Sequence, residues 1–402
     1  MSVAVSTVIV GAGPSGLRCA ETLATAGHTV CVIGAEPGLP YNRVALSQLL
    51  VGDYEEEELI THDAARLRAL GITFRPETKV TAIDSAGRAV TTEAGERIAY
   101  ENLVLALGSK AFRLPLPGAD LPGVLMYRTL DEVRTMLRIA RNGGKAIVIG
   151  GGLLGLEAAV GLSKRGMRVT VLHGVDRLME RQLDHAAAAL LTRRLQAQGL
   201  AVELSASTVA IAGTTHATGV VLQDGRTIEA ELIVMAVGIR PEAELARQAG
   251  LLVERGIVVD GSMRTSDPAI YAIGECAQYQ GQCCGLVAPA FAQAEVAARN
   301  IAGGAAVYEP VVDATALKVA GAGVWSAGDI AASGVEALVY EDPEVGEYRK
   351  FLLRDQHLVG AVIYGETVDA PWYKSLLGTD VRHLRGVLAF GSAFAGSLES
   401  AA

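Results

Sequence analysis

Two glycine-rich stretches carry the residue types and spacing that could do chemistry. Val8-Ile9-Val10-Gly11-Ala12-Gly13-Pro14-Ser15-Gly16 runs an apolar segment into a G-x-G-x-x-G spacing. Ile147-Val148-Ile149-Gly150-Gly151-Gly152-Leu153-Leu154-Gly155 does so again. Glycines at this spacing suit the pyrophosphate of a dinucleotide. They make the strand-to-helix turn tight and keep side chains away from a helix N-terminus, whose unpaired amides favour an anion. One such spacing is a weak sign, because glycine-rich turns are common; two in register, each read as strand-turn-helix-strand, are a strong one. The match continues downstream: Leu17 with Leu156, Ala20 with Ala159, Leu23 with Leu162, Gly27 with Gly166 and Val30 with Val169. Two βαβ units, each with a dinucleotide site, are expected.

The elements that must position these turns are readable around them. Short strands are expected at Ile72-Phe74, Val80-Ile83 and Ala89-Thr92, with a turn at Ser85-Ala86-Gly87. The acidic run Asp53 to Glu58 reads as a solvated helix start. Leu103 to Gly108 is an apolar strand closed by glycine, and Leu232 to Gly238 echoes it. Pro115, Pro117 and Pro122 read as a linker out of the first domain. A helix is expected from about Asp184 to Gln198 and a strand-turn-strand around Asp224-Gly225. Thr265 to Glu275 should return the chain to the first domain. Beyond Val307, strands at Tyr348 to Leu353 and Leu358 to Tyr364 flank a turn in a third, small α+β domain.

Composition bounds the function. The 402 residues leave room for two or three domains. Charged residues break every apolar run before membrane-spanning length, and no export signal precedes the first strand, so a soluble cytoplasmic protein without membrane contact is expected. A net charge of -9 argues against nucleic acid as a partner. Cys19, Cys31, Cys276, Cys283 and Cys284 form no C-x-x-C pair and no four-cysteine cluster, so neither a redox disulfide nor a metal site is expected. Cys283-Cys284 is a vicinal pair.

On the two fingerprints, the two glycine-terminated strands and Thr265 to Glu275, the chain resembles the two-dinucleotide-domain flavoproteins. These are the pyridine nucleotide-disulfide oxidoreductases, with the ferredoxin and rubredoxin reductases among them. The likeness implies an α/β fold with two Rossmann-like domains, one inserted in the other, plus a small C-terminal α+β domain. It implies an FAD-binding domain from 1–114 and 243–306, an NADH-binding domain from 115–242 and a C-terminal domain from 307–402. A narrower resemblance is to the flavin portion of the large subunit of NADH-dependent assimilatory nitrite reductase and to the NADH-oxidising electron-transfer subunit of assimilatory nitrate reductase. It rests on Tyr127-Arg128-Thr129, Gly150 to Glu157, Leu178 to Asp184, Gly274-Glu275-Cys276-Ala277 and Gly285 to Pro289, and continues through Leu317-Lys318 and Gly328-Asp329. The sequence lacks the cysteine clusters with which the nitrite reductase subunit continues, so NADH oxidation is expected here and nitrite reduction is not.

The resemblance also assigns residues. Gly11, Gly13, Pro14, Ser15 and Gly16 would hold FAD, with Glu275 on its ribityl chain. Gly150, Gly152 and Gly155 would carry the NADH pyrophosphate, and Glu157 and Gly238 would shape the nicotinamide site. Glu36, Arg43, Val80, Ala106, Gly108, Leu153, Leu154, Arg181, Gly274, Leu286, Val287 and Ala288 join them as cofactor-binding residues. Gln48 stands where many relatives have a flavin-tuning lysine. His173 stands where an acid usually bonds the NAD ribose; Arg168 and Arg177, close in sequence, bear on the choice between NADH and NADPH. Because the cofactor supplies the chemistry, no catalytic acid-base residue is expected. The implied activity passes electrons from NADH through FAD to a protein with an iron-sulfur or other one-electron centre, a nitrate or nitrite reductase catalytic subunit being the foremost candidate. The alternatives are a stand-alone ferredoxin or rubredoxin reductase, an NADH oxidase, and a flavin-stabilised signalling protein. Val44 speaks against an oxidase with a cysteine near that position.

Overall fold

The structure, a computed structural model, describes residues 6–310, 314–319 and 321–399. The expected first and third domains extend past these limits at their outer ends. The chain divides into two compact units: Met1–Leu49, Asp53–Ala111 and Ile239–Val311 form one, and Leu50–Gly52, Phe112–Gly238 and Val312–Ala402 the other.

The first unit is built on the strand Thr7–Val10, buried at every position. A strand without polar alternation is the mark of a parallel sheet covered on both faces. It pairs in parallel with Val30–Ile33 on one side and Asn102–Leu105 on the other, and Ile72–Arg75 and Ile270–Ala272 complete the five-stranded sheet. The helix Pro14–Thr25 crosses between the first two strands, with proline in its first turn where no amide is needed. An antiparallel sheet of Val80–Asp84, Ala89–Thr92 and Arg97–Ala99 is appended. The acidic run forms a single 3-10 turn, Glu56–Leu59, capped by Glu55 and Glu58.

The second unit repeats this plan. Lys145–Ile149 lies between Arg168–Leu172 and Leu232–Met235, flanked by Ala201–Glu203 and Val124–Met126, all parallel. One sheet takes its outer strand from the end of its sequence and the other from the beginning. The proline-rich segment expected as a linker is instead an ordered strap: Pro117 and Pro122 carbonyls accept from the Ile211 and Ala217 amides at 2.8 Å each. Free backbone polar groups on a closely packed segment must find such partners.

In the same unit lies a five-stranded antiparallel sheet in the order Ala314–Val319, Ala322–Gly328, His357–Gly365, Glu347–Arg354, Glu336–Asp342. Its core gathers Trp325, Phe351, Leu358, Ile363 and Tyr373. The helix His185–Ala197 is capped by Asp184, whose side chain accepts from the Ala187 amide at 3.1 Å. That carboxylate also accepts from Tyr348 Oη at 2.6 Å and Lys350 Nζ at 2.9 Å, which fastens the helix to the antiparallel sheet. Burial opposes the charge on Asp184, yet these hydrogen bonds hold its carboxyl below the usual range.

Candidate functional site

In the first unit the fingerprint glycines divide the labour. Gly11 sits at φ +119°, and a methyl there would overlap the Ala106 carbonyl. A methyl on Gly16 would overlap the Gly11 carbonyl, so Gly16 allows the helix to pack on the turn. Gly13 differs: it has ordinary extended backbone (φ -76°, ψ 179°), caps the helix without any side-chain bond, and a methyl there would meet nothing within 4 Å. Space held open in front of uncapped helix amides is what a pyrophosphate needs, and the residues present fit a dinucleotide.

Several expected residues converge around that turn. Gly274 takes φ +74°, and a methyl there would come within 2.6 Å of Ser15 Oγ. Its amide donates to the buried Gln293 at 2.8 Å. Glu275 follows, accepting from Ser109 Oγ at 2.8 Å. Leu286 caps the helix Val287–Ile301, which packs against Pro14–Thr25. Glu36, just past the second strand, accepts from Tyr41 at 2.6 Å and pairs with Arg43. Burial works against the Arg43 charge, but Tyr41, Glu36 and Glu275 together keep its pKa above the ordinary value. Gly108 turns the chain at φ +70°. Gln48 lies exposed on the short helix Leu46–Val51, and Val80 heads the antiparallel sheet; neither is tied to the turn by a hydrogen bond.

The second unit holds the same cradle. Methyls on Gly150 and Gly155 would overlap the Ala236 and Gly150 carbonyls, whereas Gly152, at φ -84°, faces open space and caps Leu153–Lys164 without a side-chain bond. Leu153 opens that helix and Leu154 is exposed. Glu157 lies one turn on, with Tyr127 close enough to feel its charge. Burial raises the Glu157 carboxyl to about 7, so it can hold or release a proton at neutral pH. Among the described residues the buried Tyr127 hydroxyl has no hydrogen-bond partner, an orphaned donor where a ligand's polar group could bond. Gly238, between the strands Leu232–Met235 and Ile239–Pro241, takes φ +117°.

Arg168 opens Arg168–Leu172 and His173 follows its close, so the arginine sits a strand's length away from the histidine. Arg177 is tied back to the Leu183 carbonyl, Asp176 and the Glu180 carbonyl. Arg181 is exposed. Two participants went unread, Gly151 and Glu180: the Gly151 amide donates to His173 Nδ1 at 3.0 Å, and His173 Nε2 lies 3.1 Å from Glu180. The third consecutive glycine, one more than the fingerprint requires, was the available signal. The five cysteines carry no disulfide, and Cys19, Cys31 and Cys276 are buried, with burial raising each thiol.

Residues 5–300 match the family model described as pyridine nucleotide-disulphide oxidoreductase, and residues 314–380 match the rubredoxin NAD+ reductase C-terminal domain. An assimilatory nitrate reductase electron transfer subunit of Bacillus subtilis is 39% identical over 367 residues, 90% of this chain and 48% of that protein. A nitrite reductase [NAD(P)H] of the same organism is 42% identical over 365 residues, covering 90% of this chain and 45% of that one. The chain thus spans about half the length of these curated relatives. Among solved structures, a ferredoxin reductase from Rhodopseudomonas palustris superposes with a TM-score of 0.85 at 28% identity, over 92% of this chain and 93% of its own.

Proposed function

The chain belongs to the pyridine nucleotide-disulphide oxidoreductase family, and from that premise we propose that it oxidises NADH and delivers the electrons to a separate redox protein. It is an FAD-dependent NAD(P)H oxidoreductase, with FAD on the Gly11–Gly16 turn and NADH on the Gly150–Gly155 turn. The observation that carries this reading is the pair of matching cradles, each with one glycine facing open space before uncapped helix amides. The Gly11–Gly16 turn and Glu275 would hold the FAD, which would supply hydride acceptance and one-electron release. The protein's own groups orient and tune. Glu275, held by Ser109 and near Arg43, offers a fixed carboxylate to a sugar hydroxyl. Tyr127 and Glu157 line the nicotinamide position, where a carboxylate would favour the positive charge that grows as the hydride leaves. The acceptor is a protein with an iron-sulfur or comparable one-electron centre, and the resemblance to the nitrate and nitrite reductase proteins supports a role in nitrate assimilation, which we assign to the cytoplasm. Among the described residues no helix is long and apolar enough to cross a membrane.

With oxygen as the only acceptor, NADH turnover should be slow, and a small iron-sulfur protein or rubredoxin should raise it at least tenfold. The stimulation should fall as salt rises, since transient redox encounters are small and steered by charge. Oxygen turnover as fast as with every protein acceptor would make the chain an oxidase instead. Flavin reduction by NADH should quicken as pH rises through about 7, the value to which burial lifts Glu157. Glu157→Gln should flatten that profile in stopped-flow measurements; an unchanged profile would assign the proton elsewhere.

A further inference from the structure

The two cradles align residue for residue. Val10 pairs with Ile33 as Ile149 pairs with Leu172, so Gly34 and His173 occupy the same place after the second strand. Their amides even bond alike, Gly34 to the Arg75 carbonyl and His173 to the Glu203 carbonyl, both at 2.9 Å. In dinucleotide folds an acid soon after this strand receives the ribose hydroxyls. The first unit has Glu36 two residues on. The second has the exposed Val175 there, and the next residue, Asp176, is taken up by an ion pair with Arg177.

We propose that Glu180 supplies the missing carboxylate, receiving the adenosine ribose hydroxyls of NADH and repelling the 2′-phosphate of NADPH, with His173 as its positioning residue. Four observations converge. First, the Gly151 amide donates to His173 Nδ1, so in the neutral ring the proton sits on Nε2, which donates to Glu180 Oε2 at 3.1 Å. Second, the ring lies against the fingerprint itself: a methyl on Gly151 would come within 2.8 Å of His173 Cγ. Third, the turn bearing Glu180 folds back on the same glycine, the Met179 amide donating to the Gly151 carbonyl at 3.0 Å, with Met179 held at φ +51°. A non-glycine residue in that region implies a turn fixed by its surroundings. Fourth, His173 is 12% exposed and Glu180 34%, so a largely covered ring steadies a carboxylate that reaches solvent. Among the described residues, Glu180 Oε1 has no protein partner. Of the cations that could invite a 2′-phosphate, Arg168 is at the far end of the strand and Arg177 is bound to carbonyls and to Asp176, which leaves the exposed Arg181 as the competitor to Glu180.

This proposal rests on the NADH-oxidising reading, and titration calorimetry of the FAD-loaded protein with NAD+ and with NADP+ separates the two. Wild type should bind NAD+ at least tenfold more tightly than NADP+. Glu180→Gln should weaken NAD+ about tenfold and leave NADP+ unchanged or tighter, collapsing the ratio. His173→Ala should shift the ratio the same way by less, and His173→Asp placed in the Glu180→Gln background should restore it. A merely structural role would move both affinities together. If wild type prefers NAD+ and the preference survives Glu180→Gln, or disappears only with Arg181→Ala, the assignment of Glu180 is wrong while the NADH reading stands. If wild type shows no preference, or favours NADP+, both fall.

Discussion

Gly13→Val should give a protein that folds, and whose unliganded form melts within a few degrees of unliganded wild type, yet purifies colourless. The backbone at Gly13 is extended, which valine accepts, and its side chain would touch no protein atom on entering. The cost to the apoprotein is confined to a poorer helix cap, about 1 kcal/mol. The side chain would instead occupy the approach to the helix amides. Losing two charge-assisted phosphate bonds at about 1.5 to 3 kcal/mol each lowers flavin affinity at least 100-fold. Gly16→Ala makes the contrast, because its smaller methyl would collide with the Gly11 carbonyl, backbone against which nothing can yield. That variant should lose about 3 kcal/mol or fail to fold. Absorbance of the purified proteins, with circular dichroism melts of the apo forms, reads both; a fully yellow Gly13→Val would remove the pyrophosphate from this turn.

Asp184→Ala should destabilise the second unit by about 3 kcal/mol. It removes a helix cap, worth about 1 kcal/mol, and strands Lys350 and Tyr348, which are largely shielded beside it. The sequence holds two tryptophans, Trp325 and Trp372, both in the segment around the antiparallel sheet, so urea titration followed by tryptophan fluorescence reports that part directly. Asp184→Asn should lose less, because its amide oxygen still caps the helix, although its NH2 replaces the charged oxygen that accepts from Tyr348 and Lys350. The folded-state carboxyl is depressed, so its contribution is present above the unfolded value near 4 and disappears as pH falls through the lower folded value. The gap between wild type and Asp184→Asn should therefore narrow below about pH 4. A gap independent of pH would assign the loss to packing.

Legibility followed the range of the interaction. The turns at Gly11 and Gly150, the strands that feed them and the cap at Asp184 are local, each set by neighbours within a few residues, and their spacing disclosed them. The second role of Asp184 needs Tyr348 and Lys350, brought over by tertiary packing, and no window of sequence contains all three. The near-neutral Glu157 carboxyl is a product of burial, which spacing does not encode. Nearness in sequence does not say which end of a strand Arg168 occupies; the fold puts it a strand's length from His173. Glu180 was hidden for the opposite reason: its place depends on an imidazole ring that reaches it from seven residues earlier.

The exchange of Ala12 and Gly34 in one cradle for Gly151 and His173 in the other also constrains history. A methyl on Gly34 would already stand 3.0 Å from the Ala12 methyl, and one on Gly151 would press into the His173 ring. If the two units descend from a common ancestor, alanine and histidine could not have coexisted at these positions. The route between the cradles must pass through a form with glycine at both. From a cradle that begins with the alanine, glycine at position 151 must precede histidine at position 173, so the ring that steadies Glu180 depends on a substitution made elsewhere first.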